Sequence, residues 1–238
     1  MTDSPILVVD IGGISVKLSI VHEGSGSENI QRFSTPEGMT PQQLVEGVQQ
    51  VAADWQYQVI SMGYPGPVKN NTVWREPVNL GEGWVGFDFQ QAFNMPVKMI
   101  NDAAMQALGS YRGADMLFLG LGTGLGTALI REGQIIPMEI AHLPLRDGLD
   151  YEDALGQRGL DQSGYEVWYA DLLKTIDLFS YALCTDYVVV GGGNARRLDE
   201  KLLPDNIYIG DNDNAFIGGG LMWRDELADD DVVRHYAI

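Results

Sequence analysis

The residues able to do chemistry gather in two glycine-dense turns, an Asn-Asp pair and a Glu-x-x-His segment. Gly120-Leu-Gly-Thr-Gly-Leu-Gly126 places four glycines between two apolar runs, so it reads as a strand, a tight turn and a second strand over Leu117–Ile130. A turn of this kind exposes backbone N–H groups with no side chains in the way, a nest suited to phosphate. A weaker copy, Asp10-Ile-Gly-Gly13, joins the two apolar runs of Ile6–Val21, and each hairpin meets a Glu-Gly soon afterwards (Glu23-Gly24, Glu132-Gly133). The two hairpins read as one element used twice, each heading a half of the molecule. Gly120–Gly126 is not a dinucleotide fingerprint: its third glycine is out of register and a strand follows where a helix should begin. No P-loop pattern occurs anywhere in the chain. Asn101-Asp102 ends the apolar run Val97–Ile100. An Asp there can take the proton of a substrate hydroxyl as its oxygen attacks a phosphoryl group, although either residue could equally cap the helix that follows. Glu139 and His142, three apart, could hydrogen-bond vicinal hydroxyls or simply pack. They do not form the zinc-protease pattern, and with one cysteine in the chain no structural zinc site is expected.

The elements that must position these residues alternate between strands and helices. Thr40-Pro41 is a helix-start signal, and Leu44, Val48, Val51, Ala52 and Trp55 follow at helical spacing, predicting a helix over Pro41–Trp55. Val59–Met62 reads as a strand ending at the rigid turn Gly63-Tyr-Pro-Gly-Pro67. A helix is expected from Ala103 to about Tyr111, a charged loop over Arg146–Gly164 with a short helix at Tyr151–Gln157, and a long helix over Gly164–Leu183. The apolar strand Tyr187–Val190 runs into Gly191-Gly192-Gly193, followed by a helix through Ala195–Leu203, a strand at Ile207–Ile209 and a closing helix at Asn214–Trp223. The pattern is α/β with covered sheets, and the hairpins add antiparallel strands to them. Two lobes are expected, 1–100 and 101–220, with Asp102 and the second hairpin in the second and residues 221–238 returning to the first.

Composition excludes several function classes. A formal charge of −18, from 33 acidic and 15 basic residues, argues against nucleic-acid binding, which rests on cationic contacts to phosphate. Part of the excess lies in Asp225–Asp231, expected to be a solvated acidic terminus. No apolar run reaches the roughly 20 residues that cross a bilayer, and the first apolar run carries Asp10, which a signal peptide would not. The single cysteine, Cys184, forbids an internal disulfide and fits a reducing cytoplasm; it lies in an apolar helical pattern and is expected to pack.

Taken in order, Asp10-Ile-Gly-Gly13 with Lys17, Gly63-Tyr-Pro-Gly-Pro67, Asn79-Leu80 with Trp84, Asn101-Asp102-Ala103, Gly120–Gly126, Glu139-Ile-Ala-His142, Val190-Gly-Gly-Gly193 and Asn214-Ala-Phe-Ile-Gly218 resemble the ROK family of sugar kinases over nearly the whole chain. Within that family the chain is most similar to the short polyphosphate-type glucokinases, through the loop Asn79–Gly86 and its length. The resemblance implies a two-lobed actin/hexokinase (ribonuclease H-like) α/β fold with mixed sheets and helices and a cleft between the lobes. It implies a hexose kinase with Asp102 as the catalytic base, and Asn79, Asn101, Glu139, His142 and Glu152 as sugar ligands. Asp10, Gly12, Gly13 and Lys17 would face phosphates and Mg²⁺ from one lobe, and Gly122, Thr123 and Gly124 from the other, with Gly191, Gly192 and Gly193 bordering an adenosine. By that resemblance the donor would be ATP with Mg²⁺ or polyphosphate, and the enzyme is expected to be a cytoplasmic homodimer binding neither nucleic acid nor membrane. The chain departs from the family at two places: Arg146–Asp150 replaces the zinc-binding cysteines, and Ile14 stands where a phosphate-binding Thr or Ser follows Gly-Gly. The second departure motivates a rival reading, a catalytically silent sugar-binding protein of the same fold.

Overall fold

The computed structural model describes residues 5–22, 27–211 and 213–224, which divide into two compact units. In the first, β1 (Ile6–Ile11), β2 (Ser15–Val21), β3 (Glu28–Ser34), α1 (Pro41–Val51), β4 (Val59–Tyr64), β5 (Val68–Lys69), β6 (Thr72–Val73), α2 (Phe89–Phe93), β7 (Val97–Asn101) and α3 (Asp102–Ser110) follow one another. The sheet order is β3-β2-β1-β4-β7, antiparallel through β1–β2–β3 and parallel through β1–β4–β7. Every position of β1 is buried, as a central strand covered on both faces requires. Helix α1 starts where its cap dictates: the Thr40 hydroxyl accepts from Gln43 N–H, and the Gln43 side chain accepts in return from Thr40 N–H at 2.9 Å.

The second unit repeats the plan. It holds β8 (Met116–Leu121), β9 (Leu125–Arg131), β10 (Gln134–Met138), a 3₁₀ turn at Ile140–His142, β11 (Pro144–Arg146), β12 (Leu149–Asp150), α4 (Tyr151–Leu155), α5 (Gln157–Ser163), α6 (Tyr165–Leu183), β13 (Tyr187–Gly191) and β14 (Ile207–Ile209). Its sheet order, β10-β9-β8-β13-β14, carries the same polarities, antiparallel through the hairpin and parallel beyond it. The expectation of a mixed α/β fold built on one hairpin used twice therefore holds, and each glycine turn leaves the carboxyl end of a central strand.

Helix α7 (Asn214–Leu221) returns to the first unit and packs on β1 and β4. It comes close because its glycines carry no side chains. A Cβ at Gly218 would lie 1.8 Å from the Met105 carbonyl of α3, and one at Gly219 would lie 2.4 Å from Val8. Reciprocally, a Cβ at Gly109 would stand 1.9 Å from the Asn214 carbonyl. Ser61 Oγ donates to Gly219 C=O at 2.6 Å and accepts from Trp223 Nε1 at 2.8 Å. These contacts keep α3 with the first unit, which runs to Gly109, whereas the sequence reading began its second lobe at residue 101.

Local differences from the sequence reading have physical causes. Strand β3 went unseen because an edge strand buries little and its residues, ENIQRFS, are mostly polar. The helix expected over Ala195–Leu203 is two 3₁₀ turns, Gly193–Arg197 and Glu200–Leu202, divided where Asp199 accepts from Lys201 N–H and restarts the chain. Cys184 does not pack: it is exposed as the left-handed C-cap of α6, with φ 52°. Among the described residues no helix is long and apolar enough to cross a membrane. The Glu23-Gly24 link, the acidic stretch Asp225–Asp231 and the rest of the returning segment lie outside the described residues.

The α3–α7 contact is tight enough to test. Gly218→Ala puts a methyl group against backbone that cannot move aside, and an overpacked contact of this kind costs about 1–3 kcal/mol or more. The variant is expected to unfold at lower urea concentration than the parent protein in a circular-dichroism titration.

Candidate functional site

In the first unit, Asp10 pairs in register with Lys17 across the hairpin and with Gly63 on β4. Asp10 is 4% exposed and its carboxylate accepts from Lys17 Nζ at 3.1 Å, so this buried charge at the strand end is paired. The turn beyond it is braced from inside: Gly12 N–H donates to Ser15 C=O at 3.1 Å, and Thr35 Oγ1 donates to Gly12 C=O at 2.8 Å. A Cβ at Gly12 would meet that Ser15 oxygen at 2.9 Å. Gly13 is exposed, and Ile14 at the tip is 80% exposed. An isoleucine this open forms no part of a core.

Asn101 and Asp102 divide the labour that sequence left open between them. Asn101 is buried; its Oδ1 accepts from Ala104 N–H at 3.0 Å, capping α3, and its Nδ2 donates to Gly66 C=O at 3.2 Å. It thereby fastens the Gly63–Pro67 turn to the start of α3. Asp102, the first residue of that helix, is half-buried, and its Oδ1 accepts from Ala103 N–H at 2.8 Å. A carboxylate at a helix N-terminus is favoured as the anion. Asn79 is exposed on the loop that precedes Trp84. That loop is held by Glu76, a residue the sequence reading missed, whose two carboxylate oxygens accept from Trp84 N–H at 3.0 Å and Val85 N–H at 3.1 Å. These backbone donors, Trp84 first, hold the Glu76 carboxyl below its ordinary value. Trp84 is fully buried and Gly81 sits where a Cβ would lie 2.3 Å from Gly38 O, so the loop has little freedom.

In the second unit the glycine turn is locked by the α4–α5 corner. Gln157 N–H donates to the carbonyls of Gly122 at 3.0 Å and Thr123 at 3.1 Å, and Gly122 N–H donates to Gly124 C=O at 3.0 Å. The N–H groups of Thr123 and Gly124 make no backbone hydrogen bond among the described residues, and they are the donors this turn can offer an anion. Glu152 of α4 reaches the same turn: its Oε2 accepts from Leu125 N–H at 3.5 Å, and a Cβ at Gly124 would lie 2.6 Å from that oxygen. Asn194, also missed from sequence, donates from Nδ2 to Gly122 C=O at 3.3 Å and accepts from Arg197 Nε at 3.2 Å. It ties the Gly191–Gly193 turn to the Gly122 turn. Gly192 has φ 83°, and a Cβ there would strike Leu121 O at 2.3 Å, whereas Gly193 faces open space.

Glu139, His142 and Glu152 gather in this unit. His142 Nε2 lies 3.9 Å from Glu139 Oε2, and its Nδ1 lies 3.3 Å from Asp150 Oδ2. Burial, opposed by His142 and reinforced by the charge of Glu152, raises the Glu139 carboxyl above its ordinary value, although its side chain stays 41% exposed. Two carboxylates and an imidazole in this unit can serve as acceptors for neighbouring hydroxyls. Arg146 makes a two-armed ion pair with Asp171 of α6, Nη1 donating to Oδ1 at 3.2 Å and Nη2 to Oδ2 at 2.5 Å, and so holds the β11–β12 hairpin against α6. Among the described residues no group of three or more His, Cys, Asp or Glu is arranged to hold a metal ion.

The raised Glu139 carboxyl has a consequence for stability. Because the folded state holds this proton more tightly than the unfolded chain, its contribution to stability is full below the ordinary value of 4.5 and is lost as pH rises through the raised folded value. Glu139→Gln is therefore expected to melt with the parent protein near pH 4 and above it at pH 7, as read by thermal scans across that range.

The comparisons bear on the fold and the family. A polyphosphate glucokinase of Mycobacterium leprae is 28% identical over 209 residues, 80% of this chain. The match spans 64% of that relative's own length, a little less than two thirds. The solved inorganic polyphosphate/ATP-glucomannokinase of Arthrobacter sp. strain KM superposes with a TM-score of 0.78 at 24% identity, covering 92% of this chain and 98% of its own. A ROK family glucokinase from Streptomyces griseus, solved with glucose and AMPPNP, gives 0.70 at 16% identity over 92% of this chain and 98% of that one. The family model for ROK matches residues 6–138, more than half of the chain. With the duplicated hairpin sheets and the ordered motifs in agreement with that match, the chain belongs to the ROK family.

Proposed function

We propose that this protein is a sugar kinase that transfers a phosphoryl group to a hydroxyl of a hexose, with glucose the first candidate. The observation that carries the reading is the juxtaposition in the second unit. Hydroxyl-binding groups, Glu139, His142 and Glu152, stand in the same unit as a glycine turn with backbone N–H donors, and Glu152 accepts from the Leu125 N–H of that turn while its charge raises the Glu139 carboxyl. A sugar and a phosphate are the two ligands such a face accommodates together.

In this reading Asp102 takes the proton of the attacking hydroxyl. Phosphoryl transfer leaves little covalent work to the protein, so the rest is positioning and charge stabilisation. Asn101, its amide engaged at both ends, fixes Asp102 on α3 and has one N–H left for the sugar. Asn79 offers an amide from a loop that Glu76 and Trp84 hold rigid. The Thr123 and Gly124 N–H groups receive donor phosphate oxygens, and Arg197, tied through Asn194 to the Gly122 turn, adds a cation in a chain that has few. The Gly191–Gly193 turn borders the base and ribose if the donor is a nucleotide. Mg²⁺ would be carried mainly by the donor phosphates, with Asp10, the buried carboxylate of the first hairpin paired to Lys17, the side chain that would hold it; when bound it neutralises phosphate charge. The same reading takes the protein as a cytoplasmic homodimer using ATP or polyphosphate.

One observation favours the rival reading. Ile14, 80% exposed at the first hairpin tip, offers no hydroxyl to a phosphate. A silent sugar-binding protein is expected to bind glucose calorimetrically while consuming no donor.

Two experiments decide between them. Glucose and a few other hexoses, each offered ATP with Mg²⁺ and polyphosphate in parallel, are expected to give a hexose phosphate with at least one donor. Sugar binding without turnover in every combination sinks the kinase reading. Asp102→Asn is expected to keep glucose binding in calorimetry while losing about 10²–10⁴ in kcat, the scale of a general base. Near-parental turnover in that variant removes Asp102 from the role.

A further inference from the structure

We propose that Asp150 is a positioning residue that sets, with its two carboxylate oxygens, both the tautomer of His142 and the start of the helix that presents Glu152. The inference deepens the sugar-kinase reading and rests on it for the identity of the ligand.

Asp150 is the last residue of β12 and the N-cap of α4. Its Oδ1 accepts from Asp153 N–H at 2.7 Å, and the Asp153 side chain accepts in return from Asp150 N–H at 3.4 Å, a reciprocal capping box. Its Oδ2 stands 3.3 Å from His142 Nδ1. Arg146, on the opposing strand of the same hairpin, is clamped to Asp171 of α6, so the short β11–β12 hairpin is tied down at both ends. One side chain thus joins the 3₁₀ turn carrying His142 to the helix carrying Glu152.

The chemistry follows from what a carboxylate can do. It only accepts, so His142 must place its proton on Nδ1 to satisfy it. The lone pair of the neutral ring is then left on Nε2, on the side of Glu139. His142 and Glu139 become paired acceptors, matched to two hydroxyl donors on adjacent sugar carbons. With the proton on Nε2 instead, His142 would donate toward Glu139 and present no acceptor to the sugar.

Asp150→Asn separates the two jobs. An Asn caps a helix about as well as an Asp, so its oxygen keeps the Asp153 N–H while its NH₂ turns toward His142. An amide N–H facing Nδ1 requires a lone pair there and moves the ring proton to Nε2. With only three histidines in the chain, ¹⁵N spectra of the imidazoles, assigned with His142→Gln, report the tautomer directly and independently of any activity. The parent protein is expected to carry the His142 proton on Nδ1 and the Asp150→Asn protein on Nε2, with little change in Tm. Asp150→Ala is expected to lower Tm, since it loses the cap. In kinetics with glucose, Asp150→Asn is expected to raise KM about tenfold, the scale of one hydrogen bond lost, with kcat little changed. A parent protein with the proton on Nε2, an Asp150→Asn protein with unaltered tautomer, or a glucose KM that stays at the parental value overturns the assignment. If no hexose is phosphorylated by the parent protein, the kinase reading fails while the tautomer measurement still judges Asp150.

Discussion

The second unit depends on one close approach: the α4–α5 corner against the glycine turn between β8 and β9. Gly156 at that corner has its Cβ position 2.6 Å from Thr123 O, and Gly124 has its own 2.6 Å from Glu152 Oε2. A side chain at Gly156 would push the corner off the turn, because it would meet backbone, and one at Gly124 would displace the Glu152 carboxylate. Because the approach is possible, Gln157 N–H can hold two of the turn's carbonyls and Glu152 can reach Leu125 N–H. The turn is thereby fixed before any ligand arrives. A preorganised set of backbone donors acts on developing charge without paying for reorganisation.

The first unit uses the same hairpin with a different brace. There Thr35, just beyond the edge strand β3, donates to Gly12 C=O and its N–H donates to Ile14 C=O at 3.0 Å. Among the described residues the tip is left uncovered: Ile14 is open. The two turns are alike in topology and unlike in chemistry: one is held by a carboxylate and a helix N-terminus, the other by a threonine hydroxyl and an Asp10–Lys17 pair. Duplication of a fold element does not carry duplication of a site, because strand order depends on apolar burial whereas a site depends on a few polar atoms.

Much of this was legible from residue patterns. Apolar runs bounded by glycine located both hairpins, and the run Val97–Ile100 located the strand end that bears Asp102. Polar alternation without an apolar run hid β3. The residues that hold the site, Glu76, Asp150 and Asn194, were invisible for a different reason. Each works through backbone groups or side chains brought near by folding, and a lone Glu, Asp or Asn in a charged or glycine-rich stretch has no pattern of its own. Asn101 and Asp102 were visible as a pair, yet which of them caps α3 was decided by the Gly66 carbonyl, which lies 35 residues upstream.

The sequence alone determined the α/β class, the repeated glycine hairpin, the order of motifs that resembles the ROK family, and the residue types able to meet sugar and phosphate. Those properties reside in local spacing, where strand period and turn chemistry leave a direct trace. Only the tertiary structure decided that Asp102 heads a helix belonging to the first unit, that Glu152 lies on the glycine turn, and that His142 is partnered by Asp150. The reason is physical: hydrogen bonds and charges act over about 3 Å, and which groups come within that distance depends on how strands and helices pack, not on their separation along the chain.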